Sequence, residues 1–483
     1  MTARRLPARD AFSFVRMQET TAAWFGRFNA SGPAWALAAL LVLSFLLGGG
    51  SRADIQSLMI LRPIAILLLG YGLIGLTWEQ VRASRFLFAM AAAIISLTLL
   101  QLVPLPPSIW SKLPGHGIVV EIDRVAQLGA EWRPVSMVPT GTWNALFSLM
   151  VPLATLVLGA RLNRDERWQL LTLILGIGLV SGVIGVLQLG SGADSPLYFY
   201  QITNNGSAVG LFANRNHQAV FLASLFPMLA VYASTRLHSP RDPVMGLRAF
   251  VAIAFGCVLV PLILVTGSRV GLVTALIGLI SAPMLYRPRQ GPSGETAGTR
   301  RWRVWLAQLG ATVAGLVVMT ILLGRGEAFD RMMGQAAGEE FRYKAWGPVL
   351  AMVWQYFPVG SGFGSFVEVY QLSEPRELLS TSYFNHAHND WLELALTGGL
   401  PGLVLLGLAG VGFTLKVARL LISRGHRGRD YALASMGALI IALFAIANGG
   451  DYPLRVPSLA CLFVVAAIWL NAPEAISSQR GTH

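Results

Sequence analysis

Charge is what this sequence has least of. Asp, Glu, Lys and Arg make up 13% of its 483 residues against 54% for the apolar types, and the mean hydropathy is +0.57. That balance excludes a soluble domain and points to a polytopic helical membrane protein. Cysteine is nearly absent. Cys257 and Cys461 both fall inside apolar runs, which excludes a disulfide framework and leaves them as small hydrophobes. No Asp-x-Asp is present, the usual divalent site of nucleotide-sugar transferases, and no His-Glu-x-x-His. Acidic residues are the minority charge, giving a net +13. The basic surplus lies between apolar runs, so it reflects membrane topology and no nucleic-acid partner is expected.

What is present is a series of apolar runs, at about 33–49, 57–77, 86–103, 143–160, 168–190, 208–233, 249–266, 269–286, 304–323, 399–416, 431–448 and 456–471. Most approach the roughly 20 residues needed to span a bilayer. The first run starts too far in, and is too long, for a cleaved signal peptide. The expected fold is therefore an all-α polytopic membrane protein of about 12 transmembrane helices, with a large periplasmic loop between spans 9 and 10. Segments placed inside carry Arg82 and Arg85, Arg161, Arg164 and Arg167, Arg236 to Arg248, Arg287 to Arg303, and Lys416 to Arg429. With both tails they hold about 24 of the 37 Lys and Arg, which sets both termini in the cytoplasm.

On this threading 1–32 is a cytoplasmic tail and 33–323 carries spans 1–9 with an outer loop at 104–142. Residues 324–390 form a periplasmic catalytic loop, 391–471 an interfacial helix and spans 10–12, and 472–483 a second cytoplasmic tail. The stretch at Gly291-Pro292-Ser293-Gly294 is a flexible linker. The prolines of Pro104-Leu105-Pro106-Pro107 turn the chain sharply, and Trp110, Trp132 and Trp143 suit a headgroup-level cap.

Polar residues gather on the outer face. Asn214-Arg215-Asn216-His217 lies at the outer end of the sixth run. Gly267-Ser268-Arg269 cuts an apolar stretch too long for one span, and Arg62 and Arg455 sit near span ends. A lone arginine is as readily a snorkelling anchor, and Arg455 has Asp451 four residues before it as a local partner. In the large loop, helical spacing puts Arg342 and Trp346 on one face, with Lys344 between them. The glycines of Phe357-Pro358-Val359-Gly360-Ser361-Gly362-Phe363-Gly364 lack the βαβ setting of a phosphate loop. Asp390-Trp391-Leu392-Glu393 fits a capping box, and Gly398-Gly399-Leu400-Pro401-Gly402 breaks the helix it starts. His386 and His388 thus sit just outside a helix N-terminus, where the field favours neutral imidazole, the form a general base needs. A metal reading of His-Ala-His lacks a third ligand at useful spacing.

An outer-face transferase has no nucleotide sugars to draw on, so its donor arrives along the membrane, and arginines are the natural device for a diphosphate leaving group without a metal. His386-Ala387-His388-Asn389-Asp390-Trp391-Leu392 followed by Gly398-Gly399-Leu400-Pro401-Gly402 resembles the signature of the O-antigen ligase/polymerase superfamily. Gln101 to Gly115, Phe212 to His217, Gly267-Ser268-Arg269, Phe357 to Phe363 and Asp451 to Pro457 are similar to elements of that group in the same order. The resemblance implies a fold related to the GT-C glycosyltransferases, located in the bacterial inner membrane. It implies metal-independent, inverting transfer of a glycan from undecaprenyl diphosphate to a glycan, lipid A core or protein acceptor, with no cofactor. It assigns diphosphate contact to Arg215 and Arg269 and acceptor activation to His388. With these, His386 is the second candidate base, and Asn214, His217, Arg342, Lys344, Asn389 and Arg455 are candidate substrate-binding residues.

Two alternatives accompany this expectation. A polysaccharide polymerase of the same superfamily would share every residue above. A lipid-linked-oligosaccharide flippase would be expected to place polar groups at mid-membrane in pseudo-symmetric halves; here they lie on one face, and no internal repeat is visible.

Overall fold

The computed structural model describes residues 30–234, 244–286, 327–379, 383–422 and 428–471, with side chains from 248 and 342 onward in the helices that open the second and third of these stretches. Eleven of the twelve apolar runs are helices in it: α1 Gly32–Leu47, α2 Leu58–Ile74, α3 Arg85–Leu100, the contiguous α4 Pro139–Ser148 and α5 Met150–Ala160, α6 Arg164–Ser191, α7 Arg215–Ser234, α8 Val244–Val265, α9 Arg269–Leu285, and then, beyond α10 Glu327–Tyr356 and α11 Phe366–Ser373, α12 Asp390–Ile422, α13 Arg429–Ala447 and α14 Pro457–Leu470. The run at 304–323 and the linker at 291–294 lie outside the described residues. By length and composition, α4–α5 together and α6, α7, α8, α12 and α13 suit a membrane crossing, with α1, α2, α3, α9 and α14 shorter and equally apolar. Among the described residues the one sheet pairs Pro104–Leu105 with Arg133–Pro134. The chain is an all-α membrane protein.

α7 is the central helix and is buried along almost its whole length. It packs against α6, α8, α9 and α13. Its contact with α9 depends on small residues: a Cβ at Gly278 would stand 2.9 Å from the Ala223 carbonyl oxygen, and one at Gly271 2.2 Å from Ala223's neighbour one turn earlier, Ala219. Close backbone approach of this kind is how helices associate in lipid, where apolar burial alone gives no preference between neighbours.

Ion pairs and polar contacts collect at both ends of the bundle. At one end Asn163 and Glu166 form a capping box at the start of α6, Glu166 accepts from Ser31 N–H at 2.7 Å, Arg164 pairs with Asp430 and Arg429 with Asp165. These are basic segments expected on the inside. The polar residues expected on the outer face gather at the other end, where Ala213 N–H donates to Gly49 O and Ser458 N–H to Gly48 O.

Several expectations need correction. The sixth run, read from 208, becomes helical only at Arg215. Gln188 Oε1 takes the N–H groups of Val209 and Gly210, and its Nε2 donates to Gly210 O. That side chain, with Gly210 at φ +57°, holds 208–214 as a turn. Trp110 does not face a headgroup layer: it is 3% exposed, donates to Glu131 O and lies under Arg133, which pairs with Asp123. Trp132 and Trp143 are exposed as expected. The large loop is largely helical: α10 runs for 30 residues through Pro348.

The glycine-rich turn after α10 is a joint: the N–H groups of Gly360, Ser361, Gly362 and Phe363 are all taken up within the protein. α12 contains two helical segments, divided at Gly399 with φ 56° and ψ −154°, which frees carbonyls at the end of the first. Ser361 N–H donates to Leu396 O and Gly362 N–H to Thr397 O, while Leu400 N–H donates to Pro358 O. Gln101 completes the joint, donating to Thr397 O and accepting from Phe363 N–H at 2.9 Å each. The carbonyls of Leu396 and Thr397 and the N–H of Leu400 are thereby paired at the break.

Candidate functional site

The site grows from the start of α12. Asn389, not Asp390, caps this helix: its Oδ1 accepts from the N–H groups of Trp391 and Leu392 at 3.1 and 3.2 Å. Asparagine just before the first turn satisfies donors that have no intrahelical acceptor. The cap corrects the expected Asp390–Glu393 box, gives Asn389 a local role, and leaves both carboxylates free to face elsewhere. Glu393, 1% exposed, bends back. Its Oε2 accepts from Ala387 N–H at 2.9 Å and its Oε1 lies 3.0 Å from His386 Nδ1.

Arg455 completes this cluster. Its Nε donates to Asp390 Oδ1 at 2.5 Å, and its Nη1 lies 3.0 Å from Glu393 Oε1. The local partner expected for it, Asp451, is therefore replaced by two carboxylates some sixty residues earlier. Burial opposes the Arg455 charge, but Asp390 and Glu393 outweigh it and hold the guanidinium protonated. Asp390 N–H also donates to Asn448 O. The loop bearing the histidines is in this way tied to the turn between α13 and α14.

Asp451, released from Arg455, faces the histidines. His388 Nδ1 stands 3.5 Å from its Oδ1, an ion-pair distance without a formed hydrogen bond, and His217 Nε2 stands 3.8 Å from the same oxygen. Burial pushes the Asp451 carboxyl up, yet His388 and His217 hold it well below the usual carboxylate range. Burial is also the main influence on His388 and drives its pKa down; Asp451 opposes this and Arg342 adds to it. The result is a neutral imidazole beside a carboxylate. His388 also takes φ +50°, a left-handed backbone that costs a non-glycine residue on the order of 1–3 kcal/mol and concentrates at working sites.

Tyr452 is the hub around which these rings pack. His386, His388 and His217 place their ring centroids 4.3, 4.9 and 5.1 Å from that of the phenol. Burial and the adjacent Asp451 push its hydroxyl up to about 12, so it remains neutral, and it accepts from Asn385 Nδ2 at 3.4 Å.

A cleft opens beside this cluster, lined by Asn216, Arg269, Val270, Arg342, Tyr343, Trp346, His388 and Gly450. Its walls come from the start of α7, the start of α9, α10, the histidine loop and the turn after α13. Ser268 accepts from Gly271 N–H and caps α9, so Arg269 enters at the first position of that helix, as the interrupted apolar run suggested. Arg342 and Trp346 share the wall, as their spacing predicted. His386 and His217 join through Tyr452, and Arg455 through Glu393. Asn214 caps the start of α7 through Asn216 N–H. Arg215 is buried at that same helix start, Lys344 is exposed on α10, and neither lines the cleft. Arg62 lies apart, donating to Asn144.

Asp451, Glu393, Tyr452 and Asn216 are not among the site residues expected from the sequence, and Trp346 is expected only as a neighbour of Arg342. Asp451 was masked by the arginine four residues after it, and Glu393 by its fit to a capping box. Among the described residues no group of three or more His, Cys, Asp or Glu side chains is arranged to hold a metal ion.

Residues 252–407 match the family described as O-antigen ligase. That stretch contains Arg269, Arg342, Lys344, His386, His388 and Asn389, along with Glu393, the Trp346 wall and the glycine break in α12. No curated protein matches the chain. Over residues 252–407 the chain is similar to the O-antigen ligase family, which supports an O-antigen ligase-like membrane protein.

Proposed function

We propose that the protein transfers a glycan from an undecaprenyl-diphosphate carrier to an acceptor hydroxyl on the periplasmic face of the inner membrane, with inversion and without a metal. The observation that carries this reading is the placement of His388, backed by Asp451, in a cleft lined by Arg269 and Arg342, with burial favouring its neutral form. With Nδ1 turned to the carboxylate, Nε2 is the atom left to take a proton. The acceptor oxygen attacks the anomeric carbon, its proton passes to His388 Nε2, and the anomeric C–O bond breaks with its electron pair leaving on the diphosphate. Arg269 and Arg342 offer planar, permanently charged donors to that developing charge, and Arg215 at the neighbouring helix start is a further candidate. His386 is held by Glu393 in a supporting position, which favours His388 as the base.

Within the family, ligase-type transfer to a new acceptor is the reading retained here, and chain elongation is its alternative. Purified protein given lipid-linked donor and acceptor tests both. Undecaprenyl diphosphate released with glycan on a new acceptor supports the ligase, and a lengthened lipid-linked glycan means a polymerase. Donor crossing a vesicle membrane without any bond change would overturn transfer altogether.

A further inference from the structure

Two polar groups in the cleft wall have no part in the transfer chemistry above. Asn216 is 3% exposed, yet its Oδ1 has no hydrogen-bond partner among the described residues. Trp346 Nε1 is buried and likewise lacks one. Both side chains line the cleft beside His388. Buried polar atoms are almost always paired, so two orphans on one concave surface point to a ligand that completes them. Rotating the Asn216 amide would place a donor there instead, still in need of a partner, which a sugar hydroxyl also supplies.

The chemistry of the pair narrows that ligand. An indole N–H only donates, and an amide oxygen only accepts. Diphosphate oxygens would satisfy Trp346 but present lone pairs to Asn216 Oδ1. Neighbouring sugar hydroxyls donate and accept, and so serve both. Tyr343 packs edge-on against Trp346, ring centroids 4.9 Å apart, adding an apolar surface suited to the C–H face of a pyranose.

We infer that Asn216 and Trp346 read saccharide hydroxyls in the cleft, as specificity-determining residues separate from the arginines that meet the diphosphate. The inference rests on the proposed transfer reaction for its substrate class. The saccharide is either the donor glycan or the sugar of the acceptor, and the experiment separates the two.

Trp346→Phe keeps the ring and its packing while removing the N–H, and Asn216→Ser keeps a small polar side chain. Each is placed in a His388→Ala background and purified in detergent, with thermal unfolding to verify the fold. Binding is then measured for two probes, undecaprenyl diphosphate and the lipid-linked saccharide that the wild type consumes. Loss of one neutral hydrogen bond weakens binding about 5- to 10-fold. If the donor glycan is read, each substitution weakens the saccharide-bearing lipid by that factor and leaves the bare carrier within about 2-fold. If the acceptor is read, donor binding is unchanged, and in the His388-intact protein the acceptor KM rises by the same factor with kcat nearly constant. Equal weakening of both lipids, or no change in donor binding and acceptor KM alike, overturns the inference. Because the binding arm needs no turnover, an active His388→Ala protein would count against the transfer mechanism and leave hydroxyl reading to be judged on its own data.

Discussion

His388 holds its Nδ1 3.5 Å from Asp451 Oδ1, across 63 residues of chain that include all of α12 and α13. The carboxylate is fully buried and favours the proton on the facing nitrogen, which orients the imidazole and leaves its other nitrogen as the base. Asp451→Asn keeps the shape and removes the charge. The expected result is a fall in kcat on the order of 10²- to 10⁴-fold. Asp451 raises the His388 pKa, so its loss should also move the acid limb of the rate profile to lower pH. A slower enzyme whose acid limb moves upward would contradict the pairing.

The wild-type pH profile follows from the same geometry. A general base works unprotonated, and burial holds His388 below the ordinary histidine value of about 6.5. Lowering the pKa moves protonation toward acid, so kcat/KM should stay level between pH 7 and 8 and decline only below about 6.5. An acid limb centred above 7 would mean that His388 is not the titrating base.

Arg455 acts as a brace between Asp390 and Glu393. Arg455→Ala leaves buried Glu393 and half-buried Asp390 without their cation. Breaking a buried ion pair by removing one partner costs about 3–5 kcal/mol. Thermal unfolding in detergent should show a large drop in stability, and Arg455→Lys should recover part of it, since an ammonium keeps the charge without the fork that bridges both acids. Unchanged stability in Arg455→Ala, with a raised donor KM, would return Arg455 to direct substrate contact.

The break in α12 admits only glycine. A Cβ at Gly399 would meet Pro358 O at 2.4 Å, and the backbone there has φ +56°. Gly399→Ala should therefore destabilise by at least about 1–2 kcal/mol and disturb the histidine loop's support. Gly407, with nothing within 4 Å of its would-be Cβ, lies in the same helix and should accept alanine without loss. Circular dichroism melts of the two variants make the comparison, and equal melting temperatures would contradict the joint.

The sequence revealed most where structure is local. Apolar run length located the helices, and Gly267-Ser268-Arg269 marked where one run becomes α8 and α9. Gly398 to Gly402 likewise marked the break in α12. Partner choice was illegible because it depends on packing between segments far apart. Arg455 has a carboxylate four residues before it, yet pairs with Asp390 and Glu393, and the Asp451 it leaves serves two histidines from different parts of the chain. Asp390 has the capping-box spacing, yet the N–H groups of Trp391 and Leu392 donate to Asn389 instead. Trp346 was legible as a neighbour of Arg342, but its unpartnered N–H is a property of the folded wall.

Metal independence has its own test. If arginines carry the leaving-group charge, dialysis against EDTA should leave the transfer rate within about 2-fold, whereas replacing Arg269 by Ala should lower kcat by about 10²-fold or more. Loss of activity in EDTA, restored by a divalent cation, would reverse that assignment.

The most direct test of the account is glycan transfer by His388→Ala, measured with purified protein, lipid-linked donor and acceptor. Removal of the base should lower kcat at least about 10²-fold, while the protein folds normally and binds donor with nearly unchanged affinity. Transfer at the wild-type rate by this variant would contradict the central claim.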